Sequence, residues 1–196
     1  RARRRRGSAA MTSYHAAAAL LPEGWARDVR IDVAPDGVLA AVARDAVSAA
    51  PDAVRLAGPV VPAMPNLHSH AFQRALAGRT GRAAEAAGDS FWTWRQAMYR
   101  MLERIDAEDF AAVTTQAYVE MARAGYGSVA EFHYVHHDPA GRPYQDPGEL
   151  ALRVAGAARI AGLGLTLLPV FYAHAGFGGT PPVAGQRRFV HTPHSF

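Results

Sequence analysis

Two histidines separated by a single residue are the part of this sequence best suited to chemistry. His68 and His70 lie in the segment Pro-Asn-Leu-His-Ser-His, and the chain has no cysteine. On an extended backbone, residues two apart point to the same side, so both imidazoles can reach one ion. Without thiolates, a metal must be held by His, Asp or Glu, and zinc at a catalytic site takes about three or four such ligands. The spacing alone is equally typical of two surface histidines on a loop.

The context of this pair favours a binding site. An apolar, proline-punctuated stretch from Val54 to Met64 precedes it, which predicts an extended segment leading into the two histidines. In parallel α/β folds, ligands bind at the C-terminal ends of the strands. We therefore expect His68 and His70 to follow a strand, at its C-terminal end.

The sequence after the histidines alternates between helix and strand patterns. Helices are predicted from Ser90 to Arg104 and from Asp106 to Gly125, the second with a capping box formed by Asp106 and Asp109. A third helix is predicted from a capping signal at Asp146, with Pro147 at the first helical position and Glu149 three residues after the cap, to Gly162. Apolar strands are predicted at Gly127–Phe132 and Leu165–Tyr172. A strand, a helix and a second buried strand form a βαβ unit, so the fold class is α/β with a parallel sheet.

Three segments are predicted along the chain. Residues 1–10 form an Arg-rich disordered tail. Residues 11–58 form a small β-rich unit that includes a hairpin from Val29 to Val42, folded around Pro35-Asp36-Gly37. Residues 59–196 form the first part of a barrel. A complete (β/α)₈ barrel takes about 250 residues, and of the 196 residues only 138 follow residue 58, so we expect the barrel to be incomplete in this chain.

The charge distribution bears on possible partners. The net charge is +4, but five of the first six residues are arginine, and without those five the remaining chain carries −1. A near-neutral body argues against a nucleic-acid partner. No apolar run approaches the roughly 20 residues that a membrane helix needs, so we expect no membrane partner. The absence of cysteine fits a cytoplasmic location.

Several longer motifs resemble known enzymes. VVPAMPNLHSH resembles the first-strand motif of the amidohydrolase superfamily, whose members have a β-sandwich beside a metal-binding (β/α)₈ barrel. More narrowly, the sequence is similar to the N-formimino-L-glutamate deiminases from about Leu20 to Phe189. The motifs that carry this similarity are NLHSHAFQRALAG, DSFWTWRQAMYRM, VAEFHYVHHD, GLTLLPVFYAHAGFGG and GQRRF.

The resemblance implies a fold, an activity and a set of site residues. The fold is the N-terminal part of an amidohydrolase barrel preceded by a small, sandwich-type β unit. The activity is zinc-dependent hydrolysis of N-formimino-L-glutamate to N-formyl-L-glutamate and ammonia in histidine degradation. His68 and His70 would bind the single Zn²⁺, and Gln73 and Tyr134 would contact the substrate. The full-length form is expected to be a cytoplasmic homodimer.

The same resemblance implies that part of the active site is missing from this chain. The family's third zinc histidine, zinc aspartate, catalytic glutamate, distal histidine and substrate-binding arginines are expected beyond Phe196, so no catalytic residue is assigned here. The chain by itself is expected to be inactive. Two alternatives remain open: another amidohydrolase-type deaminase or chlorohydrolase, acting for example on a nucleobase or triazine, and a truncated, non-catalytic half-barrel.

Other chemically capable residues have plainer interpretations. We expect His133, His136 and His137 to be solvated or hydrogen-bonded on a strand-end loop rather than metal ligands. Glu131 is expected to be a buried carboxylate held by donors rather than a general base. Three aromatic residues at helical spacing are interpreted as core: Trp92, Trp94 and Tyr99.

Overall fold

The computed structural model describes residues 10–46, 52–80 and 90–196, so residues 1–9 of the expected Arg-rich tail lie outside the described part. The chain divides into two compact units, Arg1–Pro62 and Ala63–Phe196. This division lies beyond the expected boundary at residue 58. Val60 remains with the first unit because its amide donates to the Ala18 carbonyl and its carbonyl accepts from the Leu20 amide.

The first unit is built on one four-stranded sheet. Its strands are β1 (Thr12–Leu21), β2 (Gly24–Val33), β3 (Leu39–Ala43) and β4 (Val54–Leu56). They lie in the order β3-β2-β1-β4, with β1–β2 and β2–β3 antiparallel and β1–β4 parallel. A sandwich requires two sheets. The described residues of this unit form one, so the sandwich stays a prediction.

The hairpin predicted around Pro35-Asp36-Gly37 is confirmed as β2–β3. The Ala34 carbonyl accepts from the Gly37 amide at 2.9 Å, and the Ala34 amide donates to the Val38 carbonyl at 2.8 Å. The single extended stretch predicted from Val54 to Met64 is wrong. It is divided between β4 in the first unit and the start of a separate strand in the second, because the intervening segment pairs with β1 only at Val60.

The second unit contains a parallel three-stranded sheet with helices between its strands. The strands are β5 (Met64–Ser69), β6 (Tyr126–His133) and β7 (Gly164–Pro169), in the order β5-β6-β7. The helices are α1 (Phe91–Leu102), α2 (Ala107–Arg123) and α3 (Glu149–Ala161). Short 3₁₀ helices lie at Ala71–Leu76, Phe177–Gly179 and Ala184–Gln186. The predicted α/β class with a parallel sheet is confirmed.

The ends of the helices follow local capping chemistry. Ser90 caps α1, and Gly162 ends α3 in the left-handed conformation with φ of 74°. The predicted start of α3 at Asp146 is wrong, because the Asp146 carboxylate accepts from the Gly148 amide in a turn and the helix begins one residue later, at Glu149. The strand predicted to reach Tyr172 stops at Pro169.

The core of the second unit lies between the sheet and the helices. Along β6 the buried side chains alternate, with Val129, Glu131 and His133 on one face. Tyr118 of α2 and Leu150 of α3 are fully buried in the same core. None of the helices in the described ranges is long and apolar enough to cross a membrane.

The capping box of α2 generates a stability prediction. The Asp106 carboxylate accepts from the amides of Glu108 and Asp109, both at 2.9 Å, as the sequence predicts. Asp106→Ala should lower the free energy of unfolding by about 1 kcal/mol, because it leaves two helix-end amides without that acceptor. Urea unfolding followed by tryptophan fluorescence measures the loss. Asp106→Asn, which keeps the acceptor, is the control and should stay near wild type; equal stability of all three proteins would contradict the assignment.

Candidate metal centre and substrate cavity

The two histidines of the motif come together. The Nε2 atoms of His68 and His70 are 3.1 Å apart, and their rings meet edge-on with centroids separated by 4.8 Å. Two nitrogens at this separation can both lie about 2.0–2.1 Å from one zinc ion. The motif lies within β5 and at its end rather than after a preceding strand, because Met64–Ser69 itself pairs with β6.

The orientation of His70 is fixed by its second nitrogen. Its Nδ1 lies 2.9 Å from the carbonyl oxygen of Phe132 on β6. A carbonyl can only accept, so Nδ1 carries the proton and the lone pair is on Nε2. Metal-binding histidines are typically oriented in this way by a second-shell acceptor. The ring of His68 stacks on the Phe132 ring at 4.3 Å, so one residue of β6 positions both imidazoles.

The two expected substrate contacts also come together, beside the histidines. The Gln73 Nε2 donates to the Tyr134 hydroxyl at 2.9 Å. The Tyr134 ring meets the His70 ring edge-on at 4.9 Å. Burial raises the pKa of Tyr134, and the nearby Tyr99 and Glu131 act in the same direction against the Gln73 bond. The hydroxyl therefore stays protonated at neutral pH and can donate as well as accept.

A cavity of about 440 Å³ opens next to this group. Its polar lining includes His70, Gln73, Arg95 and Tyr134, and its other walls are largely aromatic. These walls include Trp94, Tyr99, Phe132, Tyr172 and Phe189. A mostly apolar cavity with a few convergent polar groups is the usual form of a small-molecule site.

Arg95 is a functional candidate that the sequence reasoning missed. It lines the cavity, and its guanidinium lies 4.5 Å from the ring centroid of Trp92 in a cation–π contact. Its Nε is buried and has no hydrogen-bond partner among the described residues. The available signal was an arginine three or four positions from Phe91, Trp92 and Tyr99, a spacing that places it on the same side of a helix as these rings. A guanidinium in this position can accept a carboxylate in two parallel hydrogen bonds.

The expectation that Trp92, Trp94 and Tyr99 are all core residues is wrong. Tyr99 is buried, but Trp94 is partly exposed at the cavity and Trp92 is 62% exposed. Both tryptophans lie in the first turn of α1, whereas the buried residues of this helix, Met98, Tyr99 and Leu102, lie in its later turns.

Glu131 lies on the face of β6 opposite Phe132, away from the cavity lining. It is buried, and its carboxylate accepts from the Ala71 amide at 2.7 Å. The Glu131 carboxylate and burial together raise the pKa of Tyr118, with burial the larger cause. The hydrogen bond from the Ala71 amide connects β6 to the segment after His70. This agrees with the interpretation of Glu131 as a buried carboxylate that is held by a donor.

The histidines at the end of β6 and in the loop after it are buried rather than solvated. The group consists of His133 at the end of β6 and His136 and His137 in the loop that follows. Their rings contact one another or the ring of His191, which comes from the chain's last segment. Only part of this set is hydrogen-bonded: His136 Nε2 lies 3.1 Å from the Val170 carbonyl, but His137 Nδ1 has no partner among the described residues. Burial lowers the pKa of His133 to about 3, aided by the charge of His136, and lowers the pKa of His136 to about 4.

The sequence is similar to known formimidoylglutamate deiminases. Residues 11–55 match the family model described as formimidoylglutamate deiminase HutF, N-terminal domain. The chain is 59% identical over 183 residues to a formimidoylglutamate deiminase of Pseudomonas aeruginosa, covering 92% of this chain and 39% of that protein. The chain thus spans about two fifths of the curated relative that it matches. The predicted resemblance to these deiminases is confirmed.

Solved structures agree with the sequence comparison. A crystal structure of an amidohydrolase from Brucella melitensis superimposes with a TM-score of 0.87 at 49% identity, covering 94% of this chain and 40% of that one. Guanine deaminase from C. acetobutylicum superimposes with a TM-score of 0.57 at 15% identity, covering 88% of this chain and 39% of that one. The second likeness shows a shared fold only.

The buried histidines generate a pH prediction. His133 and His136 have folded-state pKa values of about 3 and about 4, below the ordinary 6.5 of the unfolded state. Between these values the unfolded chain binds protons that the folded chain does not, so stability is fully present above pH 6.5 and falls as the pH drops toward 4. From pH 7 to pH 5 the free energy of unfolding should fall by about 2 kcal/mol for each of the two.

Urea unfolding at a series of pH values measures this slope. His133→Asn should remove about half of the fall that these two histidines cause, because one proton-linked site is lost. His174→Asn, which replaces an exposed histidine, is the matched control and should keep the wild-type slope. A slope that His133→Asn leaves unchanged would contradict the burial argument.

Proposed function

We propose that this chain, which is similar to the formimidoylglutamate deiminases, contributes to a zinc-dependent enzyme. It would supply the histidine pair and part of the substrate cavity. That enzyme would hydrolyse N-formimino-L-glutamate to N-formyl-L-glutamate and ammonia. The observation that carries the proposal is the placement of two convergent imidazole nitrogens, 3.1 Å apart, beside a cavity that also contains a guanidinium. The chain spans 39% of the Pseudomonas relative, so the remaining site groups would come from residues outside it.

The donor set fits a metal ion. His68 and His70 would hold it through Nε2, since the Phe132 carbonyl occupies Nδ1 of His70. The described ranges contain no group of three or more His, Asp or Glu side chains that could hold an ion, so these residues would supply two of the three or four ligands that zinc takes. A bound zinc ion supplies the Lewis acidity that makes water a competent nucleophile at neutral pH.

The polar groups of the cavity fit the substrate's chemistry. N-formimino-L-glutamate carries two carboxylates, and Arg95 is the arginine lining the cavity. A guanidinium with a buried Nε and a stacked face is oriented for one of those carboxylates. The Tyr134 hydroxyl, protonated because burial raises its pKa, would donate to a substrate oxygen, and the Gln73 amide next to it would hold that hydroxyl or contact the substrate directly.

The proposal extends to the architecture of the complete enzyme. The parallel sheet β5-β6-β7 would be the first three strands of a (β/α)₈ barrel, with residues 59–196 as its first part and residues 11–58 as part of a β-sandwich. The histidines and Tyr134 then lie at the C-terminal ends of β5 and β6, the face of a barrel where active sites are built. A cytoplasmic homodimer with a small-molecule substrate is the proposed working form.

Removal of either histidine tests the metal centre. In the full-length enzyme, His68→Ala or His70→Ala should weaken zinc affinity by about a hundredfold or more, since even loss of a second-shell contact costs 10–100-fold. Zinc content after dialysis against a chelator series measures the effect. His174→Ala, an exposed histidine outside the cavity, is the control and should retain zinc. Full zinc occupancy in both test variants would refute the ligand assignment.

Truncation of the cavity's polar groups tests the substrate. Arg95→Met and Tyr134→Phe should each raise KM for N-formimino-L-glutamate by about tenfold or more with zinc still bound, because each removes a hydrogen bond to a charged group. Arg100→Met, on the same helix but away from this cavity, is the matched control and should leave KM unchanged. Ammonia release measures turnover; faster turnover of guanine than of N-formimino-L-glutamate by the wild-type enzyme would overturn the proposed function.

A further inference from the structure

An arginine near the end of the chain is buried without an acidic partner. The side chain of Arg188 is among the largest that are fully buried, with an exposed fraction of 1%. Within the part of the chain that the structure describes, it forms no ion pair. Arginine is almost never fully buried unless it is paired, because desolvating its charge is costly. The position therefore requires an explanation.

Two of the three nitrogens of the Arg188 guanidinium donate to main-chain oxygens, and Nη2 has no hydrogen-bond partner among the described residues. Its Nη1 donates to the carbonyls of Leu102 at 2.7 Å and Ile105 at 2.9 Å, where α1 ends. Its Nε donates to the carbonyl of His137 at 2.8 Å, in the loop after β6. The planar fork thus joins two segments that are about 35 residues apart in sequence.

The main chain of Arg188 strengthens the same connection. Its carbonyl accepts from the amides of His136 at 2.9 Å and His137 at 3.1 Å. The loop that carries Tyr134 into the cavity is therefore held on both sides by one residue. The helix end held by the guanidinium belongs to α1, which carries Arg95 and Tyr99.

Residues next to Arg188 in the sequence contact two residues of the cavity wall. Phe189 is buried, and its ring meets the Tyr134 ring edge-on at 4.9 Å. Gln186 donates to the hydroxyl of Tyr172, another wall residue, at 2.6 Å. The Tyr134 ring is thereby confined between Phe189 and His70, while its hydroxyl meets Gln73.

We propose that Arg188 is a positioning residue of the substrate cavity. By joining the end of α1 to the loop after β6 through three carbonyls, it fixes Tyr134 and Phe189 relative to the Arg95 side of the cavity. It touches neither the histidine pair nor the cavity itself. The part of this inference that concerns catalysis rests on the proposed function; the part that concerns the placement of Tyr134 does not.

The kinetic test uses Arg188→Lys in the full-length enzyme. Lysine keeps the charge but is a point donor that cannot reproduce the fork, so the loop and helix end should lose their fixed separation. We expect kcat/KM to fall by about tenfold to a hundredfold, the effect of a small misplacement of a remote group, with zinc content unchanged. Arg142→Lys, which replaces an exposed arginine in the turn of the same loop, is the control and should behave as wild type.

A double-mutant cycle separates positioning from general destabilisation. If Arg188 acts through Tyr134, adding Arg188→Lys to Tyr134→Phe should cost much less than it costs the wild type, because the hydroxyl it positions is already absent. Equal losses in both backgrounds would overturn the proposal. Phe189→Leu, which removes the ring beside Tyr134 and leaves Arg188 intact, should also lower kcat/KM; a wild-type kcat/KM in this variant would count against the proposal.

A substrate-independent measurement covers the case in which the proposed function fails. With 3-fluorotyrosine placed at position 134, the ¹⁹F chemical shift depends on the position of the Phe189 ring relative to the Tyr134 ring. Arg188→Lys should broaden this resonance or move it toward that of the unfolded chain, and Arg142→Lys should not. An unchanged resonance in a folded Arg188→Lys protein would overturn the inference. A wild-type enzyme without activity on N-formimino-L-glutamate would refute the proposed function and leave the fluorine result to decide the positioning role.

Discussion

The 2.9 Å contact between His70 Nδ1 and the Phe132 carbonyl is the interaction on which the candidate site depends. It forms because β5 and β6 are parallel neighbours, so the residue after β5 reaches the penultimate residue of β6. The contact leaves the lone pair of His70 on Nε2, and this atom lies next to Nε2 of His68. The register of β5 on β6 shifts between Asn66 and Ser69. A local irregularity of this kind re-aims side chains near functional sites.

The two faces of β6 in the second unit carry different ionisable groups. On the helix-facing side, Glu131 and His133 are buried; the former is held by a backbone donor and the latter is kept neutral by a pKa of about 3. On the cavity side, Phe132 contributes a ring and a carbonyl, and Arg95 provides a cation. The alternation of a strand lets adjacent residues serve the core and the site. The dicarboxylate substrate proposed above would therefore meet Arg95 away from the buried Glu131 carboxylate.

The sequence predicted the parts of the structure that depend on local chemistry. The α2 capping box, the Pro35-Asp36-Gly37 hairpin and the end of α3 at Gly162 are all set by groups within a few residues of one another. The expectations that differ from the structure met a competing hydrogen bond. Asp146 uses its carboxylate in a local turn with the Gly148 amide instead of a helix cap, and Val60 is held by hydrogen bonds to β1, so the first unit extends past residue 58. The second competitor lies about forty residues away in the chain, beyond any short window of sequence.

For the candidate site, the sequence by itself determined which side chains meet when their spacing is short. A period of two on an extended chain places His68 and His70 together whatever the rest of the fold does. Only the tertiary structure decided that the Phe132 carbonyl orients His70, that Gln73 meets Tyr134, and that Arg95 and Phe189 share one cavity. These residues lie 61 to 94 positions apart in the chain, a separation that no local periodicity encodes. They exist because parallel strands bring their C-terminal ends to one edge, and because the buried guanidinium of Arg188 ties the segments at that edge to one another.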